Sequence, residues 1–150
     1  MKDTTKKLLS LRANTKLVQV EPKKFRGAKL NKCFQNAAFY CAANKEYSII
    51  SGWLVGDNFD RLGTVLVPHY WLIHEPSGFY YDTSPSSPAD IQEYEYVIDM
   101  EIYFKANEKS YVPPPVFLKQ DGSLCTRLQN GVIVTLETID IQKLYDLVRN

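Results

Sequence analysis

The sequence predicts an α+β fold, in which helical segments precede a set of antiparallel strands. Three features indicate this class: an amphipathic helical pattern at residues 31–44, apolar strand-like runs after it, and two hairpin-turn dipeptides in the last third. The chain has 150 residues, 45% of them hydrophobic, which suffices for one hydrophobic core and is short for two. We therefore expect a single domain over residues 1–150.

Two short elements are expected before the main helix. Residues 4–13 are predicted to form a helix after a threonine cap, and residues 16–20 a strand that ends at Glu21-Pro22. A basic loop with one glycine follows. It carries Lys23, Lys24, Arg26 and Lys29. Such a loop is usually only solvated, but here it leads to the main helix and could hold an acidic substrate or partner nearby.

The main helix is predicted from Lys32 to Asn44. Asn31 is of a type preferred at helix N-caps, and the apolar residues after it have the i, i+3, i+4, i+7, i+8 spacing of one helical face. These residues are Phe34, Ala37, Ala38, Cys41 and Ala42. The helix should therefore bury this stripe against the rest of the fold.

A pair of strands should follow the helix. Residues 47–55 and 64–74 are apolar runs of strand type, separated by a polar loop at 56–63. Residues 75–78, with the sequence EPSG, are typical of a tight turn. Residues 78–84 then form the returning strand of a hairpin.

The last part of the chain is predicted to contain a loop at 84–90, a three-stranded meander at 117–136 and a terminal helix at 139–150 capped by Thr138. The meander is predicted from Asp-Gly and Asn-Gly dipeptides, which favour hairpin turns, between strand-like runs. Three consecutive prolines before it indicate a rigid connector. Residues 90–107 fit helical and strand patterns only partly, so both alternatives stay open.

Composition excludes several functional classes. Lys and Arg number 18 against 17 Asp and Glu, so the net charge of +1 does not favour nucleic acid or a membrane surface. The sequence has no long uncharged apolar window and no signal-peptide pattern, so we expect a cytoplasmic protein without a membrane partner. Three cysteines at wide spacing indicate neither a disulfide framework nor a metal site.

Cys33 is the strongest candidate for a reactive side chain. It falls in the first turn of the predicted helix, where unpaired backbone N–H groups and the helix dipole favour an anion. A thiolate is such an anion, and the neighbouring Lys32 acts in the same direction. Cys33 also lies at the margin of the apolar stripe, whereas Cys41 lies within it and serves as a structural thiol for comparison.

The partners of a reactive thiolate are expected on the predicted hairpin. His69 and His74, the only two histidines, point to opposite faces of their strand. If Pro76 and Ser77 are the central turn residues, Asp82 becomes the diagonal same-face neighbour of His69. If the loop is one residue longer, Asp82 moves to the face of His74. We favour the first register, because it gives an aspartate to the histidine farther from the exposed turn.

These residues carry a resemblance to a known superfamily. A cysteine at a helix start, then HYWLI, then a turn with glycine and the ending Asp-Thr-Ser-Pro resemble the papain-like cysteine hydrolases, and within them the transglutaminase-like group. The resemblance spans residues 31–85. It implies a nucleophile helix packed on an antiparallel sheet, with Cys33 as nucleophile, His69 as general base and acid, and Asp82 as orienting group.

Other parts of the superfamily pattern are missing or open. Residues 23–32, just before the cysteine, contain no glutamine, so Cys33 N–H is one oxyanion donor and the second is unassigned. Gln35, Trp53 and Trp71 are the candidates for substrate contacts, although Trp53 also fits a core position. 

The resulting hypothesis is a cysteine-dependent acyl-transfer enzyme of the peptidase, isopeptidase, deamidase or transglutaminase type. It would act on a protein or peptide amide through a thioester, without a cofactor or metal. The alternative is a non-catalytic binding module, an inhibitor or adaptor, on the same scaffold.

Overall fold

The computed structural model describes residues 1–60, 62–85, 93–107 and 110–149. Within these residues the chain forms an α+β fold with one large sheet, as expected. The helices are α1 (Asp3–Leu11), α2 (Cys33–Ala43), α3 (Glu101–Lys105) and α4 (Ile141–Arg149). The strands are β1 (Lys16–Val18), β2 (Val20–Pro22), β3 (Tyr47–Asp60), β4 (Gly63–His74), β5 (Tyr80–Asp82), β6 (Glu95–Ile98), β7 (Val116–Leu118), β8 (Leu124–Arg127) and β9 (Ile133–Leu136).

The sheet is centred on β3 and β4. Its strands follow the order β1-β6-β3-β4-β7-β8-β9, and β5 pairs with β4 and with β2. The β2–β5 pair is parallel, whereas the other pairs are antiparallel. The three-stranded meander predicted for the last third is confirmed as β7, β8 and β9.

Strand β4 has two different partners on the side away from β3. It pairs with β7 through residues 64–66 and with β5 through Leu72 and Ile73. Residues 67–71 of β4 lie between these two partners, and helix α2 packs beside them. The ring of Phe34 in α2 meets the ring of Tyr70 edge-on, with 5.0 Å between centroids. This interruption in the pairing brings the helix close to the middle of β4.

The two faces of the sheet bury different clusters. One cluster contains Trp53, Tyr70 and Leu72 from the sheet together with side chains of the helices. The other face carries a smaller cluster around Trp71 and Tyr96. Because side chains alternate along a strand, consecutive residues of β4 enter opposite clusters.

Several boundaries differ from the predictions in the first third. Helix α1 begins at Asp3 with Lys2 as its N-cap, so no threonine caps it. The single strand predicted at 16–20 is two strands, because the chain leaves β6 after Val18 and joins β5 at Val20. Pro22 belongs to β2 and does not end the strand before it. Such a proline is tolerated at an edge strand, where its missing N–H is not needed.

Later boundaries also required correction. No polar loop spans residues 56–63, because β3 continues to Asp60 and β4 begins at Gly63. The ambiguous segment contains both structures, since β6 is followed by α3. The terminal helix is capped by Asp140, whose Oδ1 accepts the N–H of Lys143 at 3.1 Å, and not by Thr138. Most of the loop predicted at 84–90 lies outside the described residues.

Among the described residues, no helix combines the length and apolar character that a membrane crossing would need.

Candidate active site

The start of α2 positions the Cys33 side chain. The N-cap is Lys32, and Asn31 has a left-handed backbone with φ of 57°, so the prediction of Asn31 as N-cap was wrong by one residue. The buried Asn36 amide holds the preceding loop: its Oδ1 accepts the N–H of Lys29 at 2.9 Å, and its Nδ2 donates to the Lys29 carbonyl at 2.8 Å. Cys33 thus occupies the first helical position and is half-buried.

The hairpin of β4 and β5 has the favoured register. Leu72 lies opposite Tyr81 and Ile73 opposite Tyr80. Asp82 consequently lies on the face of His69, with 2.8 Å between His69 Nε2 and Asp82 Oδ2. Both side chains are buried, with 8% of His69 and 1% of Asp82 exposed. The register prediction is confirmed.

The second histidine lies at the exposed end of the hairpin. His74 Nδ1 is 2.7 Å from the Ser77 hydroxyl, and its Nε2 is 3.1 Å from the Glu46 carboxylate. His74 is therefore a polar residue beside the turn, as the alternation of the strand predicts.

Asp82 is held by further donors. The Tyr96 hydroxyl donates to Asp82 Oδ2 at 2.6 Å, and the Ser84 backbone N–H donates to Oδ1 at 2.9 Å. The Ser84 hydroxyl also lies 3.4 Å from His69 Nε2. Each carboxylate oxygen is therefore engaged, which fixes the plane of the carboxylate and the direction from which it meets His69.

Cys33 meets the other side of the imidazole. It lines the same cleft as His69, and both His69 and the backbone N–H of Tyr70, in the unpaired middle stretch of β4, lower the pKa of the thiol. Since Nε2 of His69 is engaged by Asp82, Nδ1 is the ring nitrogen left for Cys33. The structure therefore brings together the three residues that the sequence singled out, in the order thiol, imidazole, carboxylate.

The electrostatics of the three groups favour a charged pair. Burial alone would raise the pKa of Asp82, but the charge of His69 and the hydrogen bonds just described lower it to about 2. Burial alone would lower the pKa of His69, but Asp82 and Cys33 raise it to about 10. The pKa of Cys33, which burial would raise, is lowered by His69 and by the Tyr70 N–H. All three pKa shifts therefore act toward a thiolate beside an imidazolium.

The other two cysteines show what the same side chain does without these partners. Burial raises the pKa of Cys41, which lies eight residues later on the same helix, and the pKa of Cys125 on β8. The lowered pKa of Cys33 therefore comes from its neighbours and not from cysteine burial in this fold.

A cleft of about 360 Å³ opens on the three residues. Residues 30–33, which enter α2, form one side, and side chains of β3, β4 and β6 with Ser84 and Pro85 form the other. The backbone N–H of Cys33 belongs to the first helical turn, whose N–H groups lack intrahelical partners, so it is available to an oxyanion. Asn31 also lines the cleft, and its side-chain amide is a candidate for the second donor.

The three residues predicted to contact a substrate lie elsewhere. Trp53 and Trp71 are both fully buried, and neither lines the cleft. Trp53 Nε1 donates to Asp99 Oδ2 at 3.0 Å in the core, and Trp71 packs beside the His69 ring with 6.2 Å between centroids. Gln35 is exposed but lies two helical residues beyond Cys33, about 200° around the helix. None of the three side chains lines the cleft, and their contact with a substrate stays a prediction.

Three supporting groups were not foreseen. Tyr96 reaches the site through the pairing of β6 with β3, and the Tyr70 N–H acts on Cys33 because α2 packs beside the middle of β4; the sequence carries no local signal for either. Ser84 had a signal, because a serine two residues after an aspartate favours a backbone N–H bond to the carboxylate. The sequence analysis used that ending only as part of the resemblance.

Removing the Tyr96 hydroxyl should raise the pKa of Asp82 and lower stability. We expect Tyr96→Phe to cost about 1–3 kcal/mol of unfolding free energy near neutral pH, because Asp82 loses a charge-assisted bond. A carboxylate with a depressed pKa contributes stability that is present above its unfolded pKa and lost as pH falls through its folded pKa. In the wild type that loss centres on about pH 2. In Tyr96→Phe this loss of stability should begin at a higher pH. Urea unfolding measured at several pH values between 2 and 5 would show it.

The matched control for that variant is Tyr80→Phe, which changes a half-buried tyrosine of the same cluster. Equal acid stability of the two variants would contradict a role of the Tyr96 hydroxyl in holding Asp82.

Among the residues that the structure describes, no group of three or more histidine, cysteine, aspartate or glutamate side chains is arranged to hold a metal ion. No protein-family model matches the chain, and comparison with curated proteins and with solved structures found no match.

Proposed function

We propose that this protein is a cysteine-dependent acyl-transfer enzyme of the papain-like or transglutaminase-like type. The observation that carries the proposal is the continuous chain of contacts from the Cys33 thiol through His69 to the buried Asp82, at the edge of a cleft. A nucleophile, a base and a group that orients the base are the three parts that thiol-based acyl transfer needs. The same chain of contacts recurs on unrelated folds, so the geometry supports the chemistry more directly than it supports the fold family.

In the acylation step, the Cys33 thiolate attacks the carbonyl carbon of an amide in the cleft. The electron pair of the C=O bond moves onto oxygen, which the Cys33 N–H stabilises. The His69 imidazolium then gives its proton to the leaving nitrogen as the C–N bond breaks. The products are a thioester on Cys33, a free amine and a neutral His69.

In the deacylation step, water or an amine attacks the thioester carbonyl. Neutral His69 accepts the proton of the attacking group, and the thiolate leaves when the C–S bond breaks. The imidazolium beside the thiolate is thereby restored. Asp82 holds the imidazole plane throughout and stabilises its charged form.

The substrate is proposed to be a protein or peptide amide, which includes peptide, isopeptide and glutamine side-chain amides. The cleft is open to the surface beside an exposed helix entry, where Leu30 is 70% exposed. A macromolecular substrate can reach an open cleft of this kind without opening the fold.

The proposal is tested by trapping the thioester with p-nitrophenyl acetate, an activated ester with a coloured leaving group. We expect a burst of about one equivalent of p-nitrophenolate per chain, and one acetyl group on the Cys33 peptide that hydroxylamine removes. Cys33→Ala should abolish the burst, whereas Cys41→Ala should retain it. Acetylation spread equally over the three cysteines, without a burst, would overturn the enzyme proposal in favour of a binding module.

A further inference from the structure

The floor of the cleft next to His69 is apolar. In the sheet, Gly52 of β3 lies opposite His69, and the next position on the same face pairs Leu54 with Val67. Leu54 also lies opposite Tyr96 of β6. Because a step of two residues along a strand is about 7 Å, the side chains of Leu54 and Val67 begin roughly one side-chain length from the imidazole.

The apolar residues of this floor are only partly buried, so part of each side chain faces the cleft. Leu54 and Tyr94 pack on the cluster of Trp71 and Tyr96, yet both line the cleft and are only partly buried. Val67 is likewise partly buried and lines the cleft. Apolar surface left in water costs free energy in proportion to its area, so this floor favours a ligand group that covers it.

The charges of the cleft favour the same kind of group. Apart from Cys33, His69 and Asp82, the lining residues that the structure describes include one charged side chain, Lys32. The Asp82 carboxylate is engaged by His69 and Tyr96 and is 1% exposed. Among the described lining residues, no carboxylate is therefore free to pair with a cationic substrate side chain, and Lys32 repels one.

We propose that the cleft selects a substrate whose acyl portion carries an aliphatic or aromatic side chain, bound on Leu54, Val67 and Tyr94. The proposal rests on the function proposed above and names the substrate class of the same site. Leu54 and Val67 belong to long paired strands, so this floor is rigid and needs no rearrangement to receive an apolar group. The exposed Leu30 also lines the cleft and adds to its apolar surface.

The test compares three iodoacetamides on the intact protein: unsubstituted iodoacetamide, N-benzyl-iodoacetamide and N-(2-ammonioethyl)-iodoacetamide. In each case Cys33 sulfur displaces iodide and forms a C–S bond, so the reagents differ only in the group placed in the cleft. Rates at Cys33 are divided by those with N-acetylcysteine to remove intrinsic reactivity. We expect the normalised rate of the benzyl reagent to be about tenfold higher than that of iodoacetamide, because its ring is buried on the apolar floor. The normalised rate of the ammonium reagent should be lower than that of iodoacetamide.

Two variants locate the selectivity. Leu54→Asp should remove the preference for the benzyl reagent. It should also raise the normalised rate of the ammonium reagent relative to that of iodoacetamide, because it places a carboxylate on the floor. Ile133→Asp is the matched control, since Ile133 is a half-exposed apolar residue on β9, away from the cleft. It should keep the wild-type ratios.

The outcomes separate the two proposals. Fast alkylation of Cys33 with equal normalised rates for the three reagents, or a preference for the ammonium reagent, would overturn the apolar subsite and leave the reactive thiolate standing. Slow alkylation of Cys33 by every reagent would overturn the acyl-transfer proposal and the subsite with it. These comparisons use the wild-type chain, so they decide the question even where Leu54→Asp fails to fold.

Discussion

Replacing His69 by alanine should slow the alkylation of Cys33 by iodoacetamide at least about tenfold near pH 6.5. In the wild type, the hydrogen bond and charge of His69 lower the pKa of Cys33 against the effect of burial. Without His69, burial and the charge of Asp82 raise the pKa of Cys33 and the Tyr70 N–H lowers it, so the thiolate fraction near neutral pH falls. The measurement is the alkylation rate of Cys33 between pH 5 and pH 10, read by peptide mass spectrometry.

The pH profile of the alkylation rate shows in which direction the pKa of Cys33 moves. In the wild type the rate should fall as pH drops through a Cys33 pKa below the ordinary value of about 8.5. In His69→Ala the midpoint should move above that value, toward the behaviour of Cys41, whose pKa burial raises. Acyl transfer should also lose activity on the alkaline side near pH 10, where the imidazolium of His69 loses its proton.

The control is His74→Ala, which removes the other histidine from the exposed end of the same strand. It should leave the Cys33 profile within about twofold of the wild type, since a surface pair beyond the site contributes little. A His69→Ala profile that superimposes on that of His74→Ala would contradict the thiolate–imidazolium pair.

Replacing Gly52 by alanine should destabilise the protein by about 3 kcal/mol or more. A Cβ at Gly52 would lie 2.0 Å from the Val97 carbonyl oxygen and 2.6 Å from the far end of the Trp71 ring. The Val97 contact is with backbone of the neighbouring β6, so it cannot be relieved by a rotamer change. Because Trp71 packs beside His69, the variant should also slow Cys33 alkylation. Chemical denaturation measures the first effect.

Gly78→Ala is the control for Gly52→Ala, because it replaces a glycine where an added Cβ meets no other atom. Gly78 has φ of 75° and open space around its Cβ position, so alanine there meets no atom and costs only the left-handed backbone penalty, about 1–2 kcal/mol. Equal losses in the two variants would contradict the crowding argument for Gly52.

The local geometry of the candidate site could be read from the sequence. The four-residue turn EPSG sets which residues of β4 and β5 lie opposite each other, and the two-residue period of strands then assigns Asp82 to His69 and not to His74. Cys33 could be placed in the first helical turn because the apolar spacing of α2 shows where the helix begins. Both inferences depend on fewer than about twenty consecutive residues, in which turn length and period leave few alternatives.

The substrate contacts could not be read in the same way. Trp53 and Trp71 are large aromatic residues near the site in sequence, but the sheet has buried cores on both faces, so the two indoles enter opposite clusters. A strand that is buried on both faces gives no alternation of polar and apolar residues to show which face holds a cleft. Leu54 and Val67, which line the cleft, look like ordinary strand sequence for the same reason.

Short stretches of sequence were enough to predict a helix with Cys33 in its first turn, the hairpin that pairs His69 with Asp82, and the meander of the last third. Three other features depend on contacts between distant segments: α2 meets β4 in the stretch between β5 and β7, β6 brings Tyr96 to Asp82, and Leu54 and Val67 line the cleft. The physical reason is the range of the interactions. Turn and helix geometry act between near neighbours, whereas the approach of distant segments depends on packing summed over the whole core.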